Sequence, residues 1–336
     1  MTFKALLLSE DSSGEKPRVT SAVTDLEESA LPTVENPVTI SVEYSSLNYK
    51  DGMVLRGIGR LVRTYPHVPG VDLAGTVVDS ADGRYQLGDQ VLCTGWRVGE
   101  MHWGGYAERA RLNADWLVPV PSGMTTKDVM AIGTAGFTAM QAIDALESHG
   151  VEPGDPILVT GASGGVGSSA ILWGAALGHH IVASTGRMEN ADELRALGAA
   201  EVIDRAEISD APGRPLLPER WAGCVDAVGG DTLAHVLAEI KYGGSVASCG
   251  LAGGNTLTTT VIPFLLRSVN ILGIDSVVAP YEERQRIWAR IAEVFDADSL
   301  ASITTEVPLA EIADQAKEIL AGKTKGRTVV RTTLPA

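Results

Sequence analysis

Residues 157–170 read ILVTGASGGVGSSA, and no other stretch limits the fold of this chain so sharply. Ile157, Leu158, Val159 and Thr160 are apolar and mostly β-branched, and they follow the turn-forming Pro153, Gly154 and Asp155. They predict a short buried strand. Gly161, Gly164, Gly165 and Gly167 come next, then helical spacing through Ile171, Leu172, Ala175 and Leu177 that stops at Gly178. Strand, glycine turn and helix in that order bring bare backbone and a helix N-terminus to one point, which suits a pyrophosphate. Ala162, Gly164 and Gly167 keep the G-x-G-x-x-G spacing with alanine in first place. Ligand-free turns can carry the same glycines, so the next strand matters. Residues 180–184, HIVAS, supply it where a βαβ unit requires one. The tip of that second strand, roughly 20 residues past the glycines, is where an adenosine ribose is read. There stand Ser184, Thr185, Gly186 and Arg187, with no carboxylate at the tip. Arginine beside small hydroxyl residues suits a 2′-phosphate, so NADPH is expected over NADH. The competing reading leaves Arg187 solvated and gives the ribose to Glu189 or Asp192.

The chain changes character along its length. Residues 4–8, 38–44, 71–78 and 89–94 are strand-like and separated by Pro, Gly, Asn and Asp, which predicts a compact β-rich domain over residues 1–125. Residues 127–146 are helical in pattern and lead into the glycine motif. Strand-like pieces at 157–160, 180–184, 201–203, 223–227, 245–249 and 271–275 then alternate with helical ones, as at 191–197 and 232–240. Such alternation predicts a doubly wound parallel sheet over residues 126–278. Residues 281–295 read as an amphipathic helix. The remainder, 279–336, is expected to return to the first domain. The fold class is therefore α/β, a β-rich domain plus a dinucleotide-binding domain.

Composition removes several functions. The 336 residues carry a net charge of −15, which argues against a nucleic-acid or anionic-membrane surface. Cys93, Cys224 and Cys249 lie far apart in apolar stretches, without zinc spacing or a disulfide framework, as expected of core residues in a reducing compartment. The opening MTFKALLLSEDSSGE lacks a leader pattern and no uninterrupted apolar run reaches a membrane span, so a cytoplasmic protein is expected.

Six stretches carry a resemblance: SSLNYKDG from Ser45, PGVDLAGTV from Pro69, GTAGFTAM from Gly133, TGASGGVG from Thr160, YGGSVASCGLAGG from Tyr242 and GRTVV from Gly326. In this order they resemble the medium-chain dehydrogenase/reductase superfamily, with its GroES-like β domain, inserted Rossmann domain and C-terminal return. More narrowly they resemble its NADPH-dependent acrylyl-CoA reductases, close to the quinone oxidoreductases. The zinc alcohol dehydrogenases of that superfamily carry a cysteine ahead of an aspartate, a G-H-E motif and a four-cysteine lobe. Here Asn48 precedes Asp51, Gly70-Val71-Asp72 stands in place of G-H-E, and no cysteine precedes Cys93. A tetrahedral zinc site would lack its thiolate and first imidazole, and His67 and His102 are isolated, so no metal is expected.

Without a metal, the fitting reaction is conjugate reduction of an activated alkene, with hydride to the β-carbon and a proton to the α-carbon; the resemblance implies that this alkene is acryloyl-CoA, reduced to propanoyl-CoA. Tyr49 is the first catalytic candidate, touching the nicotinamide end of the cofactor or donating its hydroxyl; a structural tyrosine is the alternative. Asn48 either orients substrate or caps a turn, and Asp51 is read as a structural partner. The resemblance assigns Ser163, Gly164, Gly165 and Val166 to the pyrophosphate and Thr185, Gly186 and Arg187 to the 2′-phosphate. It adds Arg205 near the adenosine, Leu251 behind the nicotinamide, the later contacts Leu265 and Ser276, and Arg327 toward a phosphate. Arg56, Arg60 and Arg63 fall in a glycine-bearing loop of an acidic chain and are candidates for the CoA phosphates; a solvated basic loop is the equal alternative. Trp96 and Trp103 either wall a small apolar pocket or serve packing. A quinone or alkenal reductase is the alternative activity, and an NADPH-binding sensor without turnover is the alternative class. The last parallel strand is an apolar edge, and homologous enzymes pair through it, so a homodimer is expected.

Overall fold

A computed structural model describes residues 1–11 and 18–333; Ser12 to Glu15, part of the stretch read for a leader, lies outside them. The chain divides into two compact units. One comprises Met1–Thr134, Ser276–Ala292 and Asp296–Ala336; the other comprises Ala135–Asp275 with Glu293–Phe295. The first change of unit thus lies at Thr134, against the 125 expected, and the second at Asp275, against 278.

The first unit opens with a hairpin, β1 (Thr2–Asp11) against β2 (Arg18–Glu27). Next come β3 (Pro37–Leu47), α1 (Tyr49–Leu55), β4 (Asp72–Ser80), β5 (Gln90–Thr94), β6 (Arg109–Asn113) and β7 (Val118–Pro119). Strands β2, β6 and β7 were not foreseen. β2 (RVTSAVTDLE) has Val19, Val23 and Leu26 as its larger apolar residues, not in strict alternation, and none of its residues is buried. Helix α2 (Thr126–Ser148) follows, with its geometry broken at Gly133 (φ 52°, ψ −162°). It is long and apolar enough to cross a membrane by composition alone, which the search for uninterrupted apolar runs passed over. Yet 83% of its apolar window is buried inside the protein, as in a core helix.

The second unit continues with β8 (Pro156–Val159), α3 (Gly165–Ala176), β9 (His180–Thr185), α4 (Ala191–Ala196), β10 (Glu201–Asp204), β11 (Trp221–Asp226), α5 (Gly230–Glu239), β12 (Ile240–Ser248), α6 (Ile262–Arg267) and β13 (Asn270–Gly273). Its six strands run parallel in the order β10-β9-β8-β11-β12-β13. The order reverses at β8, which places the start of α3 at the topological switch point, where doubly wound sheets take their ligands. Buried on both faces, β8 reads as continuous apolar sequence. Its Leu158 packs with Val182, Cys224, Val236, Leu237 and Val246.

The chain ends in the first unit through α7 (Tyr281–Glu293), α8 (Ala297–Ser302), β14 (Thr304–Pro308), α9 (Ile312–Leu320) and β15 (Arg327–Arg331). The first sheet runs β14-β15-β3-β4-β5-β7, with β6 also on β3. Leu6 and Leu8 of β1, Val54 and Leu55 of α1, Ile312 and Ala316 of α9 and Val330 of β15 share one core. Each fully buried aliphatic side chain there contributes about 1.5–3 kcal/mol, so the C-terminal residues are held by the first ones.

Candidate active site

In the second unit the glycine turn sits between β8 and α3. Gly164 is the N-cap of α3 without a side-chain capping bond, so the first amides of the helix stay available to an anion. Gly167 has to be glycine. A Cβ there would lie 2.6 Å from Ala162 Cα and closer still to the Gly161 carbonyl oxygen, so α3 could not start this near the turn. At the tip of β9, Thr185 Oγ1 accepts the Arg187 amide (3.1 Å) and shares a hydrogen bond with Ser163 Oγ (3.1 Å), tying the strand tip to the turn. Arg205, just past β10, lies flat against Gly186: a Cβ on that glycine would be 2.7 Å from its Cζ. Asp192 forms an ion pair with Arg195, while among the described residues the Arg187 and Arg205 guanidinium groups have no ion-pair partner. A bare turn, two hydroxyls and two arginines fit a dinucleotide carrying a 2′-phosphate.

Sequence reading passed over Asp226 at the end of β11. Its buried carboxylate accepts Thr160 Oγ1 (2.7 Å) and the amides of Val228 (3.2 Å) and Gly229 (3.0 Å). Burial pushes its pKa up. It fixes residues 226–229 at the carboxyl ends of the strands, beside the loop carrying Leu251. An aspartate closing an apolar strand ahead of Val228-Gly229-Gly230 was the available signal. Leu251 and Leu265 are exposed, Leu265 on α6.

In the first unit Tyr49 opens α1 and is 46% exposed. Its neighbours are occupied. Asn48 caps α1 in a reciprocal box with Asp51. The Asn48 amide donates to Asp72 Oδ2 (2.9 Å) and Ser46 Oγ (3.0 Å), while its oxygen accepts Arg327 Nη1 (3.2 Å). Asn48 is therefore a cap within a network, and its amide is not free to orient a substrate. Asp72, fully buried, also accepts Ser46 Oγ (2.6 Å) and both the amide (2.9 Å) and hydroxyl (2.5 Å) of Thr134. Asp51 accepts the Asn48 and Val71 amides (2.9 Å each), and burial and then Asp72 push its pKa up to about 7.

Arg327 requires a correction. It is 2% exposed, with Nε on the Ala131 carbonyl (2.7 Å), and it faces Asp72 and Asp51. A solvent-borne phosphate has no route to it; it is the internal counter-charge of the two carboxylates. The break in α2 belongs to the same cluster, since a Cβ on Gly133 would sit 2.6 Å from Arg327 Nη2 and 2.7 Å from Asp72 Oδ2.

Beyond β5, Trp96 (φ 54°) and Arg97 (φ 57°) both hold positive φ after Gly95 (φ 85°). Such conformations cost on the order of 1–3 kcal/mol each for residues other than glycine and concentrate at functional sites. The Arg97 carbonyl accepts the amides of Glu100, Met101 and His102. Glu100 in turn accepts Lys50 Nζ (2.9 Å), the residue after Tyr49. The two tryptophans do not share a wall. Trp96 packs on the β3–β5 core, whereas Trp103 packs on Phe3, Ala5, Leu31, Val68 and Ala107. His102 stacks on Trp116, and burial lowers the pKa of His67 and His102. Arg56, Arg60 and Arg63 are all exposed at the end of α1 and beyond it.

Comparison with known proteins now becomes informative. Residues 34–122 match the alcohol dehydrogenase GroES-like domain, and residues 165–293 match the zinc-binding dehydrogenase family. Over 329 residues the chain is 54% identical to acrylyl-CoA reductase AcuI of Ruegeria pomeroyi, covering 98% of each. The chain belongs to the acrylyl-CoA reductase family. A second relative, the probable acrylyl-CoA reductase AcuI of Escherichia coli, is 46% identical and covers 98% of this chain and 99% of its own. The crystal structure of the YhdH oxidoreductase of Salmonella enterica in complex with NADP superposes with a TM-score of 0.94 at 45% identity, over 99% of this chain and all of that one. Although one matching model is named for zinc, no group of three or more His, Cys, Asp or Glu among the described residues is arranged to hold a metal ion.

Proposed function

We propose that the chain reduces acryloyl-CoA to propanoyl-CoA with NADPH. The observation that carries the reading is whole-length similarity, at 54% identity, to a protein named acrylyl-CoA reductase, joined to a nucleotide turn flanked by two unpaired arginines. NADPH supplies a hydride, and acryloyl-CoA plus NADPH plus a proton balances propanoyl-CoA plus NADP⁺. The chain's own residues do the rest. Ser163, Gly164, Gly165 and Val166 hold the pyrophosphate, while Thr185, Gly186, Arg187 and Arg205 hold the 2′-phosphate. Conjugate addition moves charge onto the thioester oxygen, and a hydrogen-bond donor fixed in advance lowers the barrier for that shift. The Tyr49 hydroxyl, on a helix start clamped by Asn48, Asp51 and Asp72, is that donor. Arg56, Arg60 and Arg63 take the CoA phosphates, and Trp96 lines the acyl site.

The reaction runs without a metal. Both buried carboxylates are saturated with N–H and O–H donors and lie beside a buried guanidinium, surroundings that repel a dication. The exposed apolar residues Val261, Leu265, Leu266 and Ile271, on α6 and edge strand β13, are a pairing face for a second copy. Three cysteines without disulfide partners and the use of NADPH support a cytoplasmic setting.

The test follows NADPH absorbance with purified protein and acryloyl-CoA, with crotonyl-CoA, a simple quinone and NADH as parallel arms. Rapid oxidation of NADPH, not NADH, by acryloyl-CoA is expected. Turnover with the quinone alone moves the chain to the quinone reductases, and NADPH binding without turnover in any arm makes it a sensor. Light scattering at the mass of one chain would refute the dimer.

A further inference from the structure

We infer that Arg284 is a positioning residue of the reductase site, locking the Trp96 turn and the Ser276–Ala279 segment into one arrangement. This assignment rests on the reading above, in which Trp96 lines the acyl site, and takes Ser276 as the cofactor contact that the family resemblance implies. Arg284 lies in the first turn of α7 and is 1% exposed. Nε donates to the Ala279 carbonyl (3.1 Å), Nη1 to the Thr94 carbonyl (2.6 Å) and hydroxyl (3.3 Å), and Nη2 to the carbonyls of Ser276 (2.8 Å) and Val277 (2.9 Å). Those five bonds match the five N–H donors of a guanidinium. Its Cζ also lies 4.9 Å from the centre of the Trp96 ring, within cation–π range.

The acceptors are the last residue of β5, Thr94, and the backbone oxygens of the Ser276–Ala279 segment. A buried charge is costly, and an apolar side chain would fill the same space without that cost. What an apolar residue cannot do is join Thr94, Ser276, Val277 and Ala279 at one point. The Val277 carbonyl also accepts the Trp96 amide (2.7 Å), so one oxygen bridges the two segments. Gly95 completes the junction. A Cβ there would lie 2.6 Å from Arg284 Nη2 and 2.7 Å from the Ser276 and Val277 oxygens. Two successive non-glycine residues at positive φ, Trp96 and Arg97, follow directly; surroundings this tightly bonded hold such a conformation in place. Lysine carries the charge but has only three donors around one nitrogen and cannot span these acceptors.

The experiment compares wild type, Arg284→Lys, Trp96→Phe, the double variant and Ile287→Ala, a buried apolar substitution on the same helix that serves as the stability control. Well below each melting temperature, Arg284→Lys is expected to raise KM for acryloyl-CoA tenfold or more and Kd for NADPH at least threefold, with kcat changed less than threefold. Its tryptophan emission should shift, and that shift should vanish in the Trp96→Phe background. Ile287→Ala should lower Tm and leave KM, Kd and emission as they are. If Arg284→Lys lowers Tm but leaves KM, Kd and the Trp96-dependent emission at wild-type values, Arg284 only stabilises the fold and the proposal fails. Should Arg284→Lys not fold, Gly95→Ala carries the same test, because it crowds the junction with the guanidinium present; unchanged KM and Kd there overturn the proposal. Wild-type protein inert toward acryloyl-CoA would refute the functional reading alone, since NADPH affinity and Trp96 emission still decide the role of Arg284.

Discussion

Asp72→Asn isolates what the buried cluster of the first unit is worth. Asparagine keeps the shape and removes the charge. Turned with its amide nitrogen toward Thr134 Oγ1, it still presents an oxygen to Ser46, Asn48 and the Thr134 amide, because the threonine hydroxyl can reverse. Hydrogen bonding therefore survives largely intact. Arg327, however, loses one of the two carboxylates it faces. Asp72 acts on Arg327 through its charge without a direct hydrogen bond, so the cost is set at about 3 kcal/mol, the lower end of the range for breaking a buried contact pair. A loss of about 3 kcal/mol corresponds to a Tm drop of roughly 6–12 °C in a domain of this size class. Calorimetry that resolves the two units is the assay, since a two-unit chain does not unfold as one transition. Arg327→Gln should cost a similar amount, and the double variant should cost at least about 1 kcal/mol less than the sum. A Tm for Asp72→Asn within 2 °C of wild type (roughly half a kcal/mol), or strict additivity, would show that Arg327 and Asp72 are not a charge pair.

Three further outcomes are expected. Asp51 has a folded pKa raised to about 7, above its unfolded value. The stability it contributes is thus full below about pH 4 and is lost as pH rises through 7, at up to about 1.4 kcal/mol per unit; unfolding free energies of Asp51→Asn across that window should lack the slope. Arg187→Ala and Arg205→Ala should each weaken NADPH binding about tenfold, a charge-assisted hydrogen bond being worth roughly 1.5 kcal/mol at such exposed sites, with NADH affinity within about twofold of wild type; equal losses for both cofactors would mean that the arginines shape the fold. Gly167→Val should cut NADPH affinity at least tenfold by moving α3 off the turn, on the scale of about 1–3 kcal/mol for overpacking, and titration of the folded variant with wild-type affinity would contradict it.

How far the chain was readable depends on the kind of signal. The parallel sheet announced itself because strands buried on both faces are runs of apolar residues: Ile157 to Val159 and Ile181 to Ala183 have no other explanation. Strand β2 gave no such signal, since its stability comes from pairing with β1, residue against residue, rather than from burial. Arg187 drew attention by its distance from the glycines, and Arg205 only through the family resemblance. For Asn48 the structure takes the cap of the two readings left open, and for Arg327 the sequence could not show burial, because the polar network joins positions 279 residues apart and no local pattern records which donors meet. Arg284 escaped notice for the same reason: within YEERQRIWARIAE it looks like any arginine of an amphipathic helix.

The first sheet is completed last. During synthesis from the N-terminus, the second unit is nearly contiguous and can close while the first still lacks its final strand. β15 pairs with β3 through Thr328 and Leu47, so β3 waits almost the whole length of the chain for that partner. The residue that opens β15 is Arg327, the counter-charge of Asp72 and Asp51. A chain that stopped before Arg327 would therefore carry an open strand edge and two buried carboxylates without their cation. The order in which this chain leaves the ribosome makes β15 a checkpoint on the unit that bears Tyr49.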